Sequence, residues 1–367
     1  MARIGLDARM LDRTGIGTYL TELLPRLPGQ LSAQDQLVVF GSAADRDRLR
    51  AQLRPADEVQ TVSPRIYGPE EQITLKRAYA RARLDLLHAP HYNQPITSTP
   101  RMVLTINDLI PLVFPRLPGN VATKAYNRLL LKRAVRRAAR LIVPSAHTGR
   151  DLVERLGVKP ERIVMIPDAA GPQFSPQRDP AAERSWLTRL GISDPYLLYL
   201  GQWKPYKNVP LLIDAFQDLV RDGRALQLVI GGRDDPRYRE VSAAARDRRI
   251  RLTGWLPVIA LPHLIRAAAA FVLPSLYEGF GLPVLEAMAC GTPVVCSRLT
   301  SLPEVAGDAA QYWEPASGRA GLVEAIRMAL QPDQARRLRD LGLAQAARFS
   351  WDETAQRTVE VYRSLLS

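Results

Sequence analysis

A chain of 367 residues is long enough for two domains, each with its own core. Its composition, 46% apolar and 24% charged, is that of a soluble globular protein, and the sequence has no run of about 18 apolar residues that could cross a membrane as a helix. The formal charge of +13 is uneven: residues 1–172 carry 26 Lys/Arg against 16 Asp/Glu, and residues 173–367 carry 24 against 21. The first half therefore has a basic surface to which nucleic acid, anionic lipid or a phosphorylated substrate could each be matched.

The opening MARIGLDARMLDRTG has acidic residues where a signal peptide would be apolar. It predicts a first strand, Ile4 to Ala8, and a protein that stays in the cytoplasm. A helix is expected after Gly17, with Leu20, Leu23, Leu24 and Leu27 at helical spacing. Further strand-like runs follow at 37–40, 102–106, 141–144, 196–201, 226–231, 270–274 and 293–297, separated by helix-like stretches. That alternation predicts parallel sheets with crossover helices. Asp168 to Pro180 is rich in Pro, Gly and Ala and precedes a fresh βα series, so the domain boundary is expected there. This gives domains at 1–172 and 173–347. A terminal helix over 348–367 is expected to carry a capping box, Ser350 as N-cap and Glu353 at the third helical position. Cys290 and Cys296 form no CxxC pair and read as small buried residues; no metal site is expected.

The densest chemical signal is PSLYEGFGLPVLEAMACGTPVV, residues 274–295. A strand ends, a loop of small residues follows, and Pro283 marks the first turn of a helix that stops before Gly291. Helix N-termini at the carboxyl ends of strands offer free N–H groups to anions, and Gly279 and Gly281 let backbone approach a ligand. Glu278 and Glu286 flank that turn. Carboxylates are poor partners for phosphate and good acceptors for sugar hydroxyls. The site suits a molecule with hydroxyls at both ends and phosphate between, a nucleotide sugar. An ordinary βα turn with two surface glutamates is the plainer alternative.

Residues 251–315 resemble the signature region of retaining glycosyltransferases of family 4, which have the GT-B fold of two Rossmann-like domains facing across a cleft. The Glu-x7-Glu motif of that family is matched by Glu278 and Glu286. The resemblance implies that Glu278 approaches the donor sugar and Glu286 the ribose. It also implies that backbone from Gly279, Phe280, Gly281 and Leu282 contacts sugar and diphosphate, with Gly254, Trp255 and Leu256 of RLTGWLP also on the donor. The N-terminal domain would bind the acceptor, and the terminal helix would cross back to it. In YLGQWKPYKNV, Lys207 matches the family lysine, which neutralises charge growing on the leaving diphosphate. The usual arginine is replaced by Tyr206, and Lys204 could supply the second positive charge. Thr14–Gly17, TGIG, resembles the Gly-Ile-Gly turn of the family, with Gly15 and Gly17 near phosphate or acceptor.

HAPHYNQP (88–95) and TINDLIPLVFP (105–115) resemble segments of a mannosyltransferase-rich subgroup. There the reaction-centre histidine position holds Asn107, followed by Asp108. Asparagine cannot shuttle a proton at neutral pH, so the histidine is dispensable for this acceptor, or His91 substitutes for it, or activity is reduced. His147 and His263 read as structural. In residues 124–140, Lys124, Arg128, Lys132, Arg136 and Arg140 recur every four residues as a basic ridge. Such a ridge is either a solvated face or a contact for anionic lipid at the inner face of the plasma membrane. Nucleic acid is disfavoured, because no aromatic platforms interleave with the charges.

The expectation is an enzyme that moves a hexose, mannose from GDP-mannose first and a UDP-sugar second, to a glycan or lipid-linked acceptor, with no metal required. Two alternatives remain open: a nucleotide-sugar epimerase on the same fold, and an inactive relative that binds membrane or nucleic acid.

Overall fold

The computed structural model describes residues 1–97, 100–115, 117, 120–233, 235, 239–244 and 247–366. The chain divides into two compact units, one of residues 1–168 with 350–366, the other of residues 169–349.

The first unit holds β1 (Arg3–Asp7), β2 (Gln36–Gly41), β3 (Glu58–Thr61), β4 (Leu86–Ala89), β5 (Arg101–Thr105), β6 (Arg140–Val143) and β7 (Ile163–Met165) in the order β3-β2-β1-β4-β5-β6-β7. Every pairing is parallel. Strands covered on both faces read as continuous apolar runs, and LVVF of β2 is fully buried. The second unit holds β8 (Tyr196–Leu200), β9 (Gln227–Gly231), β10 (Ile250–Gly254), β11 (Ala270–Leu273), β12 (Val294–Ser297) and β13 (Ala310–Trp313), ordered β10-β9-β8-β11-β12-β13 and again all parallel.

Both sheets reverse their strand order once, between β1 and β4 in the first and between β8 and β11 in the second. At such a switch point the two following loops run to opposite sides and leave a crevice at the carboxyl ends of the strands.

Helix Trp351–Leu366 returns to the first unit. Tyr362 bonds His88 at 2.5 Å, Thr354 Oγ1 donates to the Pro167 carbonyl at 2.7 Å, and Arg26 pairs with Asp352 at 2.9 Å. Ser350 caps this helix by accepting the Asp352 N–H at 3.2 Å, but Glu353 turns outward to Arg357, so only half of the expected capping box forms. The first helix begins at Ile16, so Gly17, expected to precede it, lies in its first turn. The basic ridge is also shorter than expected: its helix is Val121–Arg137, and Arg140 opens β6 instead. Both cysteines are buried and free. Among the described residues no helix is long and apolar enough to cross a membrane.

Candidate active site

At the switch point of the second sheet, the loop after β8 runs through a single turn, Pro205–Lys207, into helix Val209–Arg221. The loop after β11 runs into helix Leu282–Ala289, with Pro283 in its second position. The Leu276 N–H donates to the Tyr206 carbonyl at 2.7 Å and ties the loops together. Lys207 Nζ meets Glu278 Oε1 at 2.6 Å, with side chains 15% and 10% exposed. Two residues singled out from separate motifs, 71 positions apart, thus form one ion pair.

The turn is braced from behind. The Glu278 N–H donates to Thr300 Oγ1 at 3.0 Å, and the buried Ser301 hydroxyl lies 2.9 Å from the carbonyls of both Glu278 and Phe280. Gly281 has φ 111°, and a Cβ there would lie 2.7 Å from Leu302. Only glycine meets both demands at the helix N-terminus. Gly279 is buried, Leu282 half-buried, and the Phe280 ring turns into the core against Phe349. Glu286 lies half-buried one turn into the helix. Two buried donors on these loops, Trp203 Nε1 and Ser275 Oγ, have no protein partner.

Tyr206, where the family arginine was expected, is buried beneath both lysines, its ring centre 5.9 Å from Lys204 Nζ and 5.6 Å from Lys207 Nζ. The aromatic face attracts both ammonium groups. Gly254 ends β10, Trp255 beyond it is 64% exposed, and Leu256 is buried.

The switch point of the first sheet is filled differently. Arg9, in the loop after β1, donates to both oxygens of Asp7 at 2.9 and 2.8 Å and pairs with Glu71, the first residue of helix Glu71–Ala82. Asn93, in the loop after β4, donates to Glu71 at 2.8 Å and faces His91 Nδ1 at 2.7 Å, while His91 Nε2 lies 3.1 Å from the Tyr67 hydroxyl. Burial holds the His91 pKa down to about 4 and that of His88 to about 3. Both ring nitrogens of His91 are therefore occupied and the ring is neutral. Asp108 Oδ1 accepts the Ile110 N–H at 2.9 Å, and the Asn107 Oδ1 is buried without a partner.

Gly15 is exposed at the N-terminus of helix Ile16–Leu23. Gly17 is buried, and a Cβ on it would sit 2.3 Å from the Leu11 carbonyl oxygen, so its smallness serves packing against the preceding loop. His147 and His263 have local neighbours, Asp151 at 3.5 Å and Arg266 at 3.2 Å. Among the described residues no group of three or more His, Cys, Asp or Glu is disposed to hold a metal ion. The composition-level reading missed Tyr67, Glu71 and Asn93, and also Thr300 and Ser301. One signal was available: an Asp-x-Arg pair directly after an apolar strand.

Residues 13–170 match the family described as Glycosyltransferase Family 4, and residues 187–341 match Glycosyl transferases group 1. The chain is 32% identical to O-antigen chain mannosyltransferase B of Escherichia coli, over 96% of both proteins. It is also 32% identical to the serotype-specific mannosyltransferase WbdA of the same organism over 72% of this chain, which spans about a third, 34%, of that longer protein. The fold superposes on sucrose-phosphate synthase from Thermosynechococcus elongatus with a TM-score of 0.78 at 21% identity, covering 100% of this chain and 99% of that one. It superposes on Anabaena Alr3699/HepE in complex with UDP-glucose with a TM-score of 0.77 at 17% identity, covering 99% and 100%. On these likenesses and on its two parallel α/β units, the chain belongs to glycosyltransferase family 4 and is a glycosyltransferase of the GT-B fold.

Proposed function

We propose that this glycosyltransferase moves a mannosyl group from GDP-mannose to a glycan or lipid-linked acceptor, with retention at the anomeric carbon. The observation that carries this reading is the Lys207–Glu278 pair beside the glycine-rich N-terminus of helix Leu282–Ala289. The choice of mannose rests on the similarity to O-antigen chain mannosyltransferase B. The positive end of that helix and Lys207 suit a diphosphate, and Glu278 and Glu286 suit hydroxyls of sugar and ribose. The buried donors Trp203 Nε1 and Ser275 Oγ are free to take further oxygens of the donor. The C1–O bond to the diphosphate breaks as the acceptor oxygen bonds C1 on the same face, and the acceptor proton goes to the departing phosphate oxygen. Lys207 opposes the charge that grows on that oxygen, so it favours the transition state over the ground state.

The test is turnover against GDP-mannose, UDP-glucose and dTDP-glucose, with methyl α-mannoside as probe acceptor and the product anomer read by NMR. An α-mannoside from GDP-mannose is expected. A β-product, or a folded protein that turns over only another donor, overturns the corresponding part.

The enzyme also rests on anionic lipid through helix Val121–Arg137. Its Leu130, Leu131, Ala134 and Val135 are buried, while Arg128, Lys132, Arg133 and Arg136 are exposed beside Leu129. Binding to phosphatidylglycerol vesicles at low salt, released at high salt and abolished by charge reversal at Lys132 and Arg136, supports this contact. Binding that survives both treatments refutes it.

A further inference from the structure

His91 arrived from the sequence as a candidate imidazole for proton transfer, yet it lies within a closed hydrogen-bonded frame whose other members the sequence did not single out. The frame can be read atom by atom. Glu71 is fully buried, and its oxygens accept from Arg9, from Asn93 Nδ2 at 2.8 Å and from the Tyr67 N–H at 2.9 Å. Burial raises the Glu71 pKa, but Oε1 accepts from both Arg9 and Asn93, so the oxygen that faces Asn93 carries no proton. The amide nitrogen of Asn93 must then face Glu71, which turns Asn93 Oδ1 toward His91 Nδ1, 2.7 Å away. Nδ1 is therefore the protonated nitrogen. The Asn93 N–H also lies 3.3 Å from Nδ1, but the shorter contact, with its oxygen fixed by Glu71, decides the tautomer. Nε2 of the neutral ring is left as an acceptor, and it takes the Tyr67 hydroxyl proton at 3.1 Å.

Tyr67 is the far end of the frame. It has φ 63°, a backbone conformation that is costly for a bulky residue and persists only where the surroundings over-determine it. Glu71 holds that backbone through the Tyr67 N–H. The Tyr67 ring stands edge-on to His91, with centres 5.6 Å apart, and the Tyr92 hydroxyl bonds that of Tyr67. Asp108, at the neighbouring loop after β5, acts electrostatically on both phenols. Behind the frame, Arg9 is clamped between Asp7 and Glu71, and Gln94 Nε2 donates to Asp7 at 2.7 Å. So many buried charged and polar groups, nearly all paired, are an expensive way to support one half-buried phenol unless its placement matters.

We propose that Tyr67 is an acceptor-positioning residue of the transfer reaction, with His91 as its anchor: Glu71 and Asn93 lock His91 as the Nδ1–H tautomer, and Nε2 fixes the Tyr67 hydroxyl. Its proton committed to Nε2 and one lone pair to the Tyr92 hydroxyl, the phenol oxygen keeps its second lone pair for a hydroxyl of the acceptor sugar. His91 is then a fixed support and exchanges no proton with substrate. This inference rests on the mannosyltransferase reading only for its kinetic arm; the tautomer arm stands apart from it.

The experiment combines two readouts on the full chain. Imidazole 15N NMR follows the four histidines between pH 5 and 8, with His91 assigned by its loss in His91→Gln. His91 is expected as the Nδ1–H tautomer, constant across that range. In Asn93→Leu the oxygen that holds the Nδ1 proton is gone, Nδ1 keeps only the N–H of position 93 at 3.3 Å, a donor, and His91 switches toward the Nε2–H tautomer. If that variant fails to fold, Tyr67→Phe keeps the test: it retains the ring, and the His91 pKa rises once Nε2 loses its donor. Kinetically, Tyr67→Phe is expected to raise the KM for methyl α-mannoside at least tenfold, leaving the KM for GDP-mannose within twofold. Hydrolysis of GDP-mannose in the absence of acceptor should persist. An Nε2–H tautomer in the unaltered protein, or Tyr67→Phe with an unchanged acceptor KM, overturns the proposal. Absence of any GDP-mannose turnover in the unaltered protein counts instead against the donor assignment.

Discussion

At the switch point of the first sheet, Arg9 lies between Asp7 and Glu71 with the three side chains 3%, 4% and 0% exposed. At the switch point of the second, Lys207 meets Glu278 over the Tyr206 ring, and the pair is 15% and 10% exposed beside glycines and unpartnered donors. One topology thus carries two kinds of polar site. In the first, the loops supply nearly all the partners, so the polar groups hold one another. In the second, partners are left over for a ligand. A closed network rigidifies and is costly to break; an open pair can be separated when a ligand supplies replacement hydrogen bonds.

The contrast breaks most visibly at Arg9. Arg9→Met leaves two buried carboxylates without their cation, and loss of one partner from such a group costs about 3–5 kcal/mol. Urea unfolding should register it, and a loss under 1 kcal/mol would mean that the first site is not a closed frame. Next comes Lys207. Lys207→Ala is expected to lower turnover at least tenfold, by more than it raises the donor KM, and Lys207→Arg to restore part of the rate, since charge matters more than shape at a diphosphate. A wild-type rate in Lys207→Ala would remove the second site from the chemistry. Glu286→Ala should weaken nucleotide affinity by about 1.5–3 kcal/mol, the range for a charged hydrogen bond. Calorimetry with GDP and UDP decides it, and unchanged affinity for both refutes the ribose assignment.

The smallest effect sharpens the comparison through pH. His88 and His91, both in the first unit, have pKa values lowered by burial from 6.5 to about 3 and about 4. The unfolded chain binds more protons than the folded one between those values and 6.5. The stability they contribute is therefore complete above pH 6.5 and is lost as pH falls toward 4 and then 3. Thermal midpoints should decline over that window, and His88→Gln should flatten the decline. An equally steep decline in His88→Gln would move the acid sensitivity elsewhere.

The sequence made the architecture and the second site largely legible, for two separate reasons. Buried parallel strands are runs of apolar residues, and runs such as 37–40 and 196–201 stand out. The strands that escaped notice are short or mixed: EVQT at β3, LLHA at β4, IVM at β7, IRLTG at β10 and AQYW at β13. The loop after β11 is compact in sequence, with Glu278 through Glu286 within one stretch, so its residues could be read together. The frame around His91 could not. Arg9 reaches Glu71 across 62 positions and Gln94 reaches Asp7 across 87, and apart from the Asp7 and Arg9 pair none of these residues is unusual in its own turn. Only the parallel pairing of β1 with β4 makes neighbours of them.

The return of helix Trp351–Leu366 to the first unit sets an order of events during synthesis. Residues 169–349 are contiguous and can close their core as soon as they have left the ribosome. The first unit is begun earlier but lacks Tyr362 against His88, and the Leu365 carbonyl for Arg101, until residues 169–365 have been made. The half synthesised first is thus completed last. Until then His88 of β4 and Arg101 of β5 lack these partners.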